Sequence, residues 1–85
     1  MLNLIATIHH NEHATLEMDP TSAEWAVVPQ MPAKLALAGA EGLTSEETLA
    51  FAADLKNAAS AVRRLNQLDE DAAQALARAW AIEEA

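Results

Sequence analysis

No lysine or arginine occurs in the first 33 residues of this 85-residue chain, and cysteine and tyrosine are missing from all of it. Without cysteine there is no disulfide, no thiolate metal site and no cysteine nucleophile, so nothing calls for an oxidising compartment. Glycine is scarce. Gly39 and Gly42 are the whole complement, and no glycine-rich run offers the backbone amides that cradle a phosphate. No apolar stretch approaches the roughly 20 residues of a membrane-spanning helix, and Met1-Leu2-Asn3 lacks the basic start of a secretory signal. A cytoplasmic location is the expectation. Aromatic packing is thin, with Phe51, Trp25 and Trp80 as the only Phe and Trp residues.

Acid is what the chain has in excess. Thirteen Asp and Glu against five Lys and Arg give a formal charge of −8. Such a surface repels nucleic acid and anionic membrane and attracts a basic protein. The length fits one small domain, residues 1–85, near the lower end of what buries a self-sufficient core. About a quarter of all positions are alanine, which adds little burial, so the core is expected to rest on larger side chains. These are Leu2, Leu4, Ile5, Ile8, Leu16, Met18, Trp25, Val27, Val28, Leu35, Leu37, Phe51, Leu55, Val62, Leu65, Leu76 and Trp80.

Hydrophobic period divides the chain into a β-rich part, 1–43, and a helical hairpin, 44–85. Leu2, Leu4, Ala6 and Ile8 alternate with Asn3, Ile5, Thr7 and His9, a strand pattern. A polar break at His10-Asn11-Glu12 follows, then Ala14, Leu16 and Met18 alternate with Thr15 and Glu17, so the two segments predict an antiparallel hairpin. Trp25-Ala26-Val27-Val28 predicts a third strand; a short helix opened by Asp19-Pro20 and stopped by Pro29 is the competing pattern. Lys34 to Ala38 fits a short strand or a turn of helix.

Thr44-Ser45-Glu46-Glu47 is a capping box, and Phe51, Leu55, Ala58, Val62 and Leu65 then form one apolar stripe on a helix ending near Gln67. Asp69 starts a second helix, with Glu70 and Asp71 in its first turn and Leu76, Trp80, Ala73 and Ala77 sharing a face. The short link makes the two helices antiparallel neighbours. The expected fold is therefore α+β: an N-terminal antiparallel hairpin or three-stranded meander packed on an antiparallel helical hairpin.

Chemistry finds little equipment. His9, His10 and His13 hold all the imidazole, and with Glu12 they are the one place for a metal. The zinc-protease pattern needs two histidines on one helix face, and here the region is a turn with Glu12 directly before His13, so that match fails. The same histidines could sense pH, since protonating all three would move the charge from −8 toward −5. Ser22, Ser45 and Ser60 lack the turn that exposes a nucleophile. Five of the thirteen acids, Glu46, Glu47, Asp69, Glu70 and Asp71, have structural duties as helix starts, and Lys56, Arg63 and Arg64 suit the helix C-terminus better than a phosphate backbone.

Glu12, Glu17, Asp19 and Glu24 around the hairpin have no such duty, nor do Glu83 and Glu84 at the chain end, where they oppose the helix dipole. With Trp80, a core cap or an interface anchor, they are the expected partner-binding residues. No catalytic residue, metal or cofactor is expected. The function expected is a non-enzymatic acidic module that docks on a basic protein. Small, acidic, cysteine-free single domains of this kind are similar in size and composition to phage and mobile-element inhibitors such as anti-CRISPR proteins, antitoxins and DNA mimics. The alternative is a small homo-oligomeric assembly protein, a homodimer through the alanine-rich last helix.

Overall fold

The computed structural model describes residues 4–36 and 41–84. Three strands come first: β1 (Thr7–Asn11), β2 (Ala14–Met18) and β3 (Trp25–Pro29). A short 3-10 turn at Ala33–Ala36 follows, then α1 (Ser45–Gln67) and α2 (Glu70–Glu84). The strands form one antiparallel sheet in the order β1-β2-β3, so the third segment is a strand and the meander is complete. Both helices pack on this sheet. The expected contributions of Leu2, Leu37 and Gly39 lie outside the described residues.

The hairpin turns later than the hydrophobic pattern suggests. β1 runs on through His10 and Asn11, and the turn is Glu12-His13. Two features of Asn11 place it there. The pairing shifts between His9 and Asn11, a bulge that inserts His10 into the ladder. The Asn11 Oδ1 then accepts the His13 N–H at 3.0 Å, closing an Asx turn, while its Nδ2 donates to the Asp54 carbonyl of α1 at 2.9 Å.

The expected inward face of the first strand also changes. Ile8 is buried, but Leu4 is 68% exposed, and Ile5 packs against the core instead. Gln74 of α2 explains the switch: its Oε1 accepts the Ile5 N–H at 2.7 Å and its Nε2 donates to the Ile5 carbonyl at 2.8 Å. The opposite sheet edge is closed the same way. Asn66 of α1 accepts the Trp25 N–H at 2.8 Å and donates to the Trp25 carbonyl at 2.9 Å. Each side-chain amide imitates a neighbouring strand, satisfying edge groups that would otherwise invite another chain. Pro29, which has no N–H, blunts the far end of the β3 edge.

The helices form as their caps dictate. Thr44 Oγ1 accepts the Glu47 N–H at 3.1 Å and Glu47 Oε1 accepts the Thr44 N–H at 2.9 Å, the reciprocal pair of a capping box. Asp69 caps α2, its Oδ1 accepting the Ala72 N–H at 2.8 Å. α1 begins near the β1–β2 turn, where Asp54 meets Asn11, and ends beneath Trp25 at Asn66. α2 returns to set Trp80 beside His10. The pair is thus antiparallel beneath the sheet. The 23 residues of α1 reach about 34 Å, roughly twice a five-residue strand, so its first turns overrun the sheet and the molecule measures 49 × 25 × 21 Å.

Alanine contributes more to the core than its size suggests. Among the described residues, Ala14, Ala58, Ala61, Ala73 and Ala77 are buried alongside Ile8, Leu16, Met18, Trp25 and Leu65. Leu55, Val62, Leu76 and Trp80 pack around them. A methyl group at the contact lets a helix backbone approach the sheet closely, and the large side chains fill the flanks. Val28 and Leu35, expected inside, are more than a third exposed, Val28 because it alternates onto the other sheet face.

Candidate functional site

The helices cover one face of the sheet and leave the other open. Ile8, Leu16 and Val27 lie side by side in register and face the helices, as do Met18 and Trp25 one step along. Thr7, His9, Glu17, Ala26 and Val28 alternate onto the outer face and are mostly exposed. Thr15 is also on that face but is buried, between His9 and Val28 in the register and under Gln30, whose Nε2 donates to its Oγ1 at 2.9 Å. Glu17 stands between Thr7 and Ala26, neither of which can neutralise or cover it.

Glu24 and Asp19 continue this surface around the β2–β3 turn. The Asp19 N–H donates to the Glu24 carbonyl at 2.8 Å, and the Ala23 N–H donates to the Asp19 carbonyl at 2.7 Å. The Asp19 carboxylate accepts the Thr21 N–H at 2.8 Å and stays exposed. Ala23 takes a positive φ of 61° to complete the turn. Glu17, Asp19 and Glu24 are therefore gathered at one end of the sheet. Every lysine and arginine of the chain belongs to the 3-10 turn or to a helix: Lys34, Lys56, Arg63, Arg64 and Arg78. The strands and their turns contain none.

The other expected partner-binding residues sit elsewhere. Glu12 is exposed in the β1–β2 turn, at the opposite end of the sheet. Trp80 is half-buried on the helix side, packed against the core with its ring 6.3 Å from that of His10. Glu83 and Glu84 belong to the last turn of α2, and their side chains lie outside the described structure.

The three histidines point to different surroundings. His9 is exposed on the outer face, His10 lies at the bulge beside Trp80, and His13 Nδ1 is 2.7 Å from Asp54 Oδ2 with Phe51 edge-on at 5.1 Å. Among the described residues no group of three or more His, Cys, Asp or Glu side chains is placed to hold a metal ion. The His13–Asp54 pair spans 41 residues, and no spacing rule in the sequence could have found it. The two edge-capping amides, Asn66 and Gln74, were equally invisible, since exposed-looking polar residues on a helix carry no signal of what they reach.

Near this tip a shallow groove is lined by Glu12, His13, Lys34 and Glu47. Lys34 Nζ lies 2.8 Å from Glu47 Oε1. That ammonium, followed by the Thr44 amide, pulls the Glu47 carboxyl from its ordinary 4.5 down to about 2. The folded value lies below the unfolded one, so the stabilisation of the α1 start is complete above pH 4.5 and disappears as pH falls through about 2. Amide hydrogen exchange at Thr44 and Thr48 should therefore stay slow down to about pH 4 and accelerate beyond the intrinsic trend between there and pH 2. A Glu47→Gln variant should show no such step.

No helix among the described residues is long and apolar enough to cross a membrane. No family model, no curated protein and no solved structure matches the chain.

Proposed function

We propose that this protein is a non-enzymatic binding module whose uncovered, base-free sheet face docks on a basic protein in the cytoplasm, acting as an inhibitor of the phage or mobile-element type. One observation carries this: both helices, with four of the five cations, pack on one face of the sheet, so Glu17, Asp19 and Glu24 are left without a compensating base. A sheet face of this kind is already ordered and carries apolar surface at Ala26 and Val28, so docking costs little conformational entropy. Like charge excludes nucleic acid and anionic membrane from the same face. Neighbouring acids repel one another in the free protein, and a cationic partner relieves that repulsion.

Capture from a bacterial lysate at 0.1 M and 1 M salt tests it, because the Debye length falls from about 10 Å to about 3 Å between them. The wild type should retain lysine- and arginine-rich protein at low salt and release it at high salt. A Glu17→Gln/Asp19→Asn/Glu24→Gln variant should lose most of that capture, while Glu41→Gln/Glu46→Gln, which removes charge elsewhere, should keep it. Equal capture by both variants would sink the assignment of this face.

A second function has its own support. Leu49 and Ile82 are 70% and 69% exposed on the two helices, apolar surface that a second copy could cover. Gel filtration at 1 M salt separates the two: a salt-resistant dimer favours the assembly protein, and a monomer favours the acidic module.

A further inference from the structure

At the Asp19 end of the sheet, the β2–β3 turn overhangs the first turn of α2 and leaves a cleft between them of about 120 Å³. Met18, Pro20, Ala23 and Trp25 form its walls, and Glu70 and Asp71 are the charged groups at its mouth. We propose that this cleft receives an arginine side chain of the basic partner. The proposal rests on the docking function above and names the anchor by which the partner is held.

The lining selects a cation with a long apolar stem. The walls are apolar, and Trp25 and Met18 among them are held in place. Trp25 is only 3% exposed, with its backbone tied on both sides by Asn66, and Met18 is paired to it across the sheet. Gln74 also borders the cleft, and its Nε2 donates to the Ile5 carbonyl at 2.8 Å and to Met18 Sδ at 3.7 Å, so it has no further donor for an anionic guest. Among the described residues neither the Glu70 nor the Asp71 carboxylate has a hydrogen-bond partner, in contrast to Asp69, which caps Ala72. A purely apolar guest would strip water from these two carboxylates without replacing it. An arginine lays its methylenes along the walls and offers five N–H donors in a planar fork to the mouth, enough to engage two carboxylates at once.

The helix dipole opposes a cation here, and its size decides the outcome. The N-terminus of α2 carries the equivalent of about half a positive charge. Asp69, Glu70 and Asp71 set three negative charges against it within the same turn. Among the described residues no lysine or arginine lines the cleft. The local field is therefore strongly negative, and a guanidinium is the side chain that complements both the charge and the apolar depth.

NMR titration of the full chain with a blocked tetra-arginine peptide tests this directly. Saturable shifts are expected at the Trp25 indole and the Met18 methyl. Glu70→Gln/Asp71→Asn should weaken binding at least tenfold, and Glu41→Gln/Glu46→Gln, which removes the same charge elsewhere, less than twofold. A thermal melt of each variant establishes that it is folded, and the shift map of the unmutated chain locates the site independently of them. Shifts confined to Glu17, Ala26 and Val28 would overturn the cleft while leaving the sheet face as the docking surface. Equal weakening by both variants, equal binding of a blocked tetra-norleucine peptide, or no saturable binding would each overturn it. Nuclear Overhauser contacts from residues 1–3 into the cleft of the free chain would overturn it as well, giving the space to the chain's own N-terminus. The lysate experiment stands apart from all of these, so the docking function can fail or survive separately.

Discussion

Leu16→Ala is expected to cost about 3–4 kcal/mol, within the range found for buried Leu→Ala changes. Leu16 is fully buried at the centre of the middle strand, flanked in register by Ile8 on β1 and Val27 on β3. Truncation removes its own burial and leaves a cavity that cannot collapse, because both neighbouring strands are fixed by their ladders and the helices below by their caps. A chain of this size has roughly 4–13 kcal/mol of stability in all. The loss should lower the melting temperature by roughly 15–30 °C, since each kcal/mol shifts a small domain by about 4–8 °C. Circular dichroism melts with urea titration check it. Val28→Ala, one strand away but on the outer face, is the control and should cost less than about 1 kcal/mol. If the two variants melt together, the placement of the core on one face is wrong.

Ala58→Leu should destabilise by about 2–3 kcal/mol, through overpacking instead of a cavity. Ala58 is fully buried on α1, where the helix lies against the sheet. The added isopropyl group has no space to enter, so either α1 lifts off the sheet or the side chain leaves its preferred rotamers. Lifting α1 would also stretch the Asn66 bonds to Trp25, coupling the core to the β3 edge. Ala59→Leu, exposed on the next position of the same helix, should stay within about 0.5 kcal/mol of the wild type. Thermal and urea unfolding of the two variants side by side check it. An Ala58→Leu variant as stable as the wild type would mean that the helix–sheet contact is looser than its burial indicates.

The two variants mark where sequence patterns succeed and where they fall short. Leu16 is legible because alternation with Thr15 and Glu17 assigns it to one face of a strand by local pattern alone. Ala58 also falls on the apolar stripe of α1, yet alanine is equally at home on an exposed helix surface, so composition alone discounts it. Ala59 and Ala58 look alike in the sequence and differ completely in the fold. The same limit applies to Ile5 and Leu4. Strict alternation chooses Leu4 for the core, but a carboxamide 69 residues away binds the Ile5 backbone and reverses the choice.

The acidic residues divide in the same manner. Thr44, Glu47 and Asp69 are caps in the sequence and caps in the structure, because a cap is a local device spanning three or four residues. Glu17, Asp19 and Glu24 come together, while Glu12 ends at the far tip, because strand direction and turn position decide which ends of a sheet meet. Glu70 and Asp71 read as dipole partners of α2, and nothing near them in sequence announces that Met18, Ala23 and Trp25 form a cleft beside them.

Local pattern was enough for the first hairpin, the two helices, their caps and the absence of any base from the N-terminal third, and it left the third segment between strand and short helix. These follow from period, propensity and count, which are properties of neighbours along the chain. The three-dimensional packing makes that third segment a strand and settles both helices on one face, so the missing positive charge becomes an open acidic surface with a cleft at one end. That decision is made by contacts between residues far apart in the chain, such as Asn66 with Trp25, Gln74 with Ile5 and Asp54 with His13, and each depends on a close approach that no local pattern encodes.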